Sequence, residues 1–134
     1  MSHGSDDTVL FSGDMSASRL GPARRLLSDW ATARGLEADV VDAIVLSGYE
    51  ALANTVEHAY REHGGGPVEL RARLDGELVT IIVRDHGQWR APAAEPTTRG
   101  GRGLVLIRRL GTDADVRHTP DGTIVRMTWR LPFT

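Results

Sequence analysis

One long amphipathic stretch constrains this chain more than any other. The spacing of apolar residues predicts a helix from about Glu37 to about Glu62. At about 100° per residue, Val41, Val45, Gly48, Leu52, Val56 and Ala59 fall into a single apolar stripe. Glu50, Asn54 and Glu57 land on the opposite side, with His58 beside them. A carboxylate and a carboxamide at i and i+4, with an imidazole four residues on, stack along one helix edge and can meet a single ligand. A solvated polar face has the same pattern, so the rest of the chain must decide between the two.

A short strand is expected at Thr8–Ser12, then a turn at Gly13 and Asp14. A first helix should follow, capped by Ser16 or Ser18 and running to about Arg34. Its apolar face reads Leu20, Ala23, Leu26, Leu27, Trp30 and Ala33, with Pro22 early enough to be tolerated and Gly35 at the end. Residues 63–67, HGGGP, should stop the second helix. Val68, Leu70, Ala72 and Leu74 then alternate with Glu69, Arg71 and Arg73, the pattern of a strand with one wet face. Asp75-Gly76 marks a hairpin. In the next strand Val79, Ile81, Val83 and Asp85 share a face, so a carboxylate continues an apolar row. After an aperiodic Pro/Ala/Thr-rich segment, about 86–100, a short helix is expected behind Gly101-Arg102-Gly103. A strand over Ala114–His118, a turn at Pro120-Asp121-Gly122 and a last strand complete the chain. In that strand Thr123, Val125, Met127, Trp129 and Leu131 face one way. This order suits an α+β two-layer sandwich, a mixed, mostly antiparallel sheet with helices on one face. Residues 8–134 read as one domain behind a flexible N-terminus, 1–7.

Composition removes several classes of chemistry. Without cysteine there are no disulfides, thiolate metal sites or thiol nucleophiles. Without lysine there is no P-loop lysine and no Schiff base, so phosphate must be held by backbone N–H groups, arginine, histidine or a metal. A net charge of −2 gives no electrostatic footprint for nucleic acid or an anionic membrane. No apolar run spans a bilayer and no signal-peptide core opens the chain, so a cytoplasmic protein is expected.

Three places carry chemistry. Glu50 can take a proton from an incoming hydroxyl. Asn54 offers a neutral oxygen suited to Mg²⁺. His58 either reaches a phosphate or solvates the helix end. Asp85-His86-Gly87 ends a strand, where a carboxylate can accept from an exocyclic amine and Gly87 lets backbone pass close to a flat ring. An ordinary strand-end turn has the same form. Gly100-Gly101-Arg102-Gly103-Leu104 opens a helix whose N-terminus suits phosphate; a capped linker is the plainer alternative.

Taken in order, GYEALANTVEHAY, VRDHG, GGRGLVLIRRL and Gly122-Thr123 resemble the GHKL ATPases, and most closely the anti-sigma-factor serine kinases of bacteria. The resemblance runs from about Leu10 to Leu131. It implies ATP and Mg²⁺ as cofactors. By the family pattern Glu50 is the base that activates a partner's serine, Asn54 the Mg²⁺ ligand and Asp85 the adenine anchor, backed by Thr123. Gly87 shapes the adenine pocket, and Gly101 and Gly103 hold the phosphates, with Arg102 and Leu104 beside them. The segment 86–100 is a short lid. Trp89 stands where many relatives carry a second glycine. The implied function is a serine/threonine protein kinase that sequesters a sigma factor and phosphorylates a small antagonist protein, working as a homodimer with no direct nucleic-acid contact. Two rivals stand beside it: a non-catalytic ATP-binding module, against which Glu50 argues, and the ATP-binding half of a histidine kinase.

Overall fold

In a computed structural model the described residues are 6–58, 65–87 and 113–131. Five strands form one sheet: β1 (Asp6–Ser16), β2 (Gly65–Asp75), β3 (Leu78–Asp85), β4 (Asp113–Thr119) and β5 (Gly122–Arg130). Their order is β1-β2-β3-β5-β4, and every neighbouring pair is antiparallel. Two helices, α1 (Leu20–Ala33) and α2 (Ala38–His58), pack against each other. α1 also lies on β1, and α2 on β3 and β1. The α+β architecture with an antiparallel sheet is the one the sequence predicts.

The sheet follows from alternation. Val79, Ile81, Val83 and Asp85 on β3 are paired with Trp129, Met127, Val125 and Thr123 on β5, and all eight are buried. Val68, Leu70 and Ala72 extend this buried face on β2. Each fully buried Leu, Ile, Val or Met contributes about 1.5–3 kcal/mol relative to exposure. On the other face of β2, Arg71 reaches Asp7 at 3.3 Å and Glu69 at 3.2 Å. Pairs this exposed contribute about 0–1 kcal/mol each, so they serve mainly to keep that face wet. The β2–β3 hairpin turns through Gly76 and Glu77, with the positive φ of 62° at Gly76 where a two-residue turn wants glycine.

Three expectations are corrected. β1 is longer than Thr8–Ser12 and does not turn at Gly13-Asp14, because both residues pair with β2, Gly13 with Val68 and Asp14 with Pro67. A bulge between Val9 and Phe11 re-registers the strand, leaving Val9 43% exposed while Leu10 and Phe11 lean on the core. β2 begins before Val68: Gly65, Gly66 and Pro67 already belong to it, and the helix has ended ahead of them. Gly65 sits so close to β1 that a Cβ there would run into the Met15 carbonyl oxygen. Pro67 lies beyond the last β2–β3 pair, Val68 with Asp85, where its missing N–H removes no bond to β3. Neither Ser16 nor Ser18 caps α1: a 3₁₀ turn, Ala17–Arg19, intervenes, and the Ser16 and Ser18 hydroxyls bond to each other at 3.1 Å.

The helices are rotated from their expected faces. On α1, Ala31 is buried, while Leu26 and Ala33 are exposed. On α2 the buried residues are Val40, Ala43, Ile44, Ser47, Gly48, Ala51, Leu52 and Thr55, whereas Val41, Val45 and Val56 are half-buried. At about 100° per residue this turns the buried centre roughly 70° from the Val41 line, toward Asn54. The cause is packing on two sides. α1 and the sheet both press on α2, and small side chains accept the closer approach, as where Leu27 of α1 lies on Gly48.

Candidate active site

Asp85 is the last residue of the central strand and is 2% exposed. A buried carboxylate must be held by donors. Its Oδ1 accepts from the Gly87 backbone N–H at 3.1 Å, closing a turn over His86, and from the Thr123 N–H at 3.2 Å. Two backbone donors on one oxygen fix the plane of the group. An ionised carboxylate accepts only, so a ligand recognised here presents a donor.

Gly122 makes that corner possible. It has φ of 144°, and a Cβ on it would collide with the Asp85 carbonyl oxygen while standing 2.7 Å from both Asp85 C and His86 Cα. The first residue of β5 therefore presses against the backbone it helps to orient. Gly122→Ala should lower stability by about 1–3 kcal/mol, the strain of a side chain in this conformation. It should also weaken ligand binding at Asp85. Urea unfolding checks the first; an unchanged midpoint would mean that β5 can shift without loss.

Thr123 is 2% exposed and faces the helices together with Asp85. Its hydroxyl is 3.0 Å from Nδ1 of His118, the residue opposite it on β4. No sequence motif includes His118, and only the strand register reveals it. The structural role of Gly122 is similarly invisible in the sequence, although the Gly-Thr pair itself stands out there.

On α2, Glu50 and Asn54 are both half-buried and one helical turn apart. The rotation of the helix explains why Asn54 is not simply solvated. Its Nδ2 is buried and has no hydrogen-bond partner among the described residues. A buried donor left unpaired costs about 1–3 kcal/mol, so an acceptor reaching Asn54 would be favoured, although Trp30 Nε1, Ser47 Oγ and Trp129 Nε1 are buried and unpaired in the same way. α2 lies over β3, the strand that ends in Asp85. His58 is the last residue of α2, and the described side chains of that helix stop at Glu57. The expected phosphate-binding run, Gly101, Arg102, Gly103 and Leu104, lies outside the described residues, as does the lid beyond Gly87, Trp89 included.

The chain matches the histidine kinase-like ATPase domain family over residues 15–129. It belongs to that family. Its relatives within and around the family divide in two groups. It is 28% identical over 123 residues to the serine-protein kinase RsbW of Bacillus subtilis (strain 168), covering 81% of this chain and 76% of that protein. It is 28% identical over 93 residues to the anti-sigma F factor of the same organism, covering 61% and 64%. The other group is histidine kinases. Blue-light-activated histidine kinase 2 of Erythrobacter litoralis (strain HTCC2594) is 29% identical over 104 residues, covering 69% of this chain and 30% of that protein. Among solved structures, the histidine kinase domain of the Erythrobacter litoralis EL346 blue-light activated histidine kinase matches with a TM-score of 0.61 and 25% identity, over 84% of this chain and 61% of that one. The chain thus spans three quarters of RsbW but less than two thirds of the other three.

Within a histidine kinase-like ATPase domain the donor set on α2 fits a nucleotide and its cation. A phosphate oxygen would give Asn54 Nδ2 an acceptor, and the amide oxygen would suit Mg²⁺. Among the described residues, no group of three or more His, Cys, Asp or Glu is placed to hold a metal. No helix among the described residues is long and apolar enough to cross a membrane.

Proposed function

We propose that the chain is an ATP-dependent serine/threonine protein kinase that also acts as an anti-sigma factor, phosphorylating a small antagonist protein. The observation that carries ATP recognition is Asp85, buried and held by the amides of Gly87 and Thr123 beneath Gly122. Its carboxylate accepts from the 6-amino group of adenine. The names of RsbW and the anti-sigma F factor support the choice of a serine acceptor and a sigma-factor partner.

In the reaction, the serine oxygen of the antagonist bonds to the γ-phosphorus, the bond from that phosphorus to the β–γ bridging oxygen breaks, and ADP leaves. The serine proton passes to the Glu50 carboxylate. Asn54, one turn further along α2, holds the phosphate end in place. Mg²⁺, when bound, neutralises charge on the β- and γ-phosphates. Most of the rate in such a transfer comes from positioning, so a rigid helix is a suitable carrier for both groups.

The test is transfer of label from γ-labelled ATP to candidate antagonists encoded nearby. Label on a serine ester survives acid. The solved histidine kinase domain favours a second reading, the ATP-binding part of a histidine kinase, in which the label sits on imidazole and is lost in acid. No transfer to any partner, with ATP still bound, leaves a binding module. Asn54→Ala is expected to weaken ATP binding in the presence of Mg²⁺ about tenfold or more, and to weaken it far less in chelator. Calorimetry under both conditions checks this; equal losses would remove the cation from Asn54.

A further inference from the structure

His118 is tied to the Asp85 corner through Thr123. It stands on β4, an edge strand, directly across from Thr123, with Nδ1 3.0 Å from the Thr123 hydroxyl. Thr123 in turn donates its backbone N–H to Asp85. Imidazole, hydroxyl and carboxylate follow one another along one row of the sheet, on β4, β5 and β3.

A threonine hydroxyl has one proton to give and an oxygen that accepts. Nδ1 decides what the hydroxyl shows to a ligand. With Nδ1 bare, the hydroxyl proton points at the imidazole, and the corner offers acceptors only. With a proton on Nδ1, the imidazole donates to Oγ1 and the hydroxyl proton is released toward the ligand. Adenine presents a donor, its 6-amino group, beside an acceptor, N1. The complement is an acceptor beside a donor, which is Asp85 next to a released Thr123 hydroxyl, in direct contact or through one water. A 6-oxopurine presents the reverse order and is refused at both positions.

The geometry points to His118 as a positioning residue for the base: its Nδ1–H holds Thr123 Oγ1, keeps the hydroxyl a donor beside Asp85, and so favours 6-aminopurine over 6-oxopurine nucleotides. This rests on the ATP reading above. His118 acts on the base through Thr123 and does not touch it.

Calorimetry with ATP and with inosine triphosphate, which differs at the 6-position without an added 2-amino group, tests the role on the full chain. His118→Ala should weaken ATP binding about three- to tenfold, the range of one hydrogen bond, and leave inosine triphosphate no weaker and up to a few-fold tighter, because the freed hydroxyl can accept from its N1–H. His118→Asn puts an amide near the place of Nδ1 and should restore most of the preference. Thr123→Val should reproduce the loss, and adding His118→Ala to it should change nothing further. A purely structural role would weaken both nucleotides alike and overturn the proposal. An unchanged ratio in His118→Ala would overturn it too, while leaving the ATP site standing. A wild-type chain that binds no ATP overturns both. Should His118→Ala fail to fold, His118→Asn and Thr123→Val carry the test: the first must keep the preference and the second must lose it.

Discussion

Glu50→Gln should bind ATP almost as tightly as the wild-type chain and bind the sigma factor normally, yet phosphorylate the antagonist at least about a hundredfold more slowly. The reason lies in what a general base touches. In the proposed reaction Glu50 acts on the incoming hydroxyl, whereas adenine is read at Asp85, at the end of a different element. Glutamine keeps the size of the side chain and its hydrogen-bonding reach, and loses only the ability to take the proton. A positioned base is worth about 10²–10⁴-fold in rate. Glu50 is also half-buried on a helix whose neighbours Ala51 and Leu52 are in the core, so an isosteric change there should leave the fold undisturbed. Single-turnover transfer from γ-labelled ATP, set beside calorimetric ATP affinity, separates the two effects. Equal transfer rates would remove Glu50 from the chemistry. A parallel fall in affinity would make it a binding residue instead.

The sheet was legible because a strand with one dry face repeats every two residues, and the rows Val79-Ile81-Val83 and Val125-Met127-Trp129 keep that period without interruption. Asp85 stood out for the same reason: a carboxylate in the place of the next apolar residue. The helices were legible in position but not in rotation, and the expected end of the second at about Glu62 lies outside the described residues. A stripe of large apolar residues marks the face that would suit one flat partner, whereas α2 has two, and its buried Ala43, Ser47, Gly48 and Ala51 carry almost no hydrophobic signal. That rotation matters to the site, because it carries Asn54 inward and buries its Nδ2. The extent of β1 escaped for a different reason. Gly13, Asp14, Gly65 and Pro67 are turn formers taken one at a time, and become strand only when the two segments that hold them pair. His118 escaped altogether, since its partner is across a hairpin and a hydrogen bond between facing side chains leaves no spacing rule in the sequence.

Asp85→Asn should lower ATP affinity by about 1.5–3 kcal/mol, roughly 10- to 150-fold, with a much smaller effect on folding. The asymmetry follows from the two backbone donors. The new amide can keep its oxygen toward the N–H groups of Gly87 and Thr123, which preserves both bonds seen at Oδ1 and most of the local structure. Its NH₂ then takes the place of the other carboxylate oxygen and meets the 6-amino group of adenine donor to donor. Were the amide to flip, its NH₂ would face the two backbone N–H groups instead, which is worse for the fold and no gain in stability. The substitution therefore trades adenine recognition for structure rather than losing both. It should also raise the relative affinity for inosine triphosphate, whose 6-oxo group is an acceptor that the amide NH₂ can serve. Asp85→Ala is the poorer probe, because it leaves both backbone donors unpaired in a buried corner and confounds binding with stability. Calorimetry with the two nucleotides, alongside urea unfolding, distinguishes these effects. If the Asn variant binds ATP as the wild type does, Asp85 is a structural anchor for Gly87 and Thr123, and the base is read elsewhere.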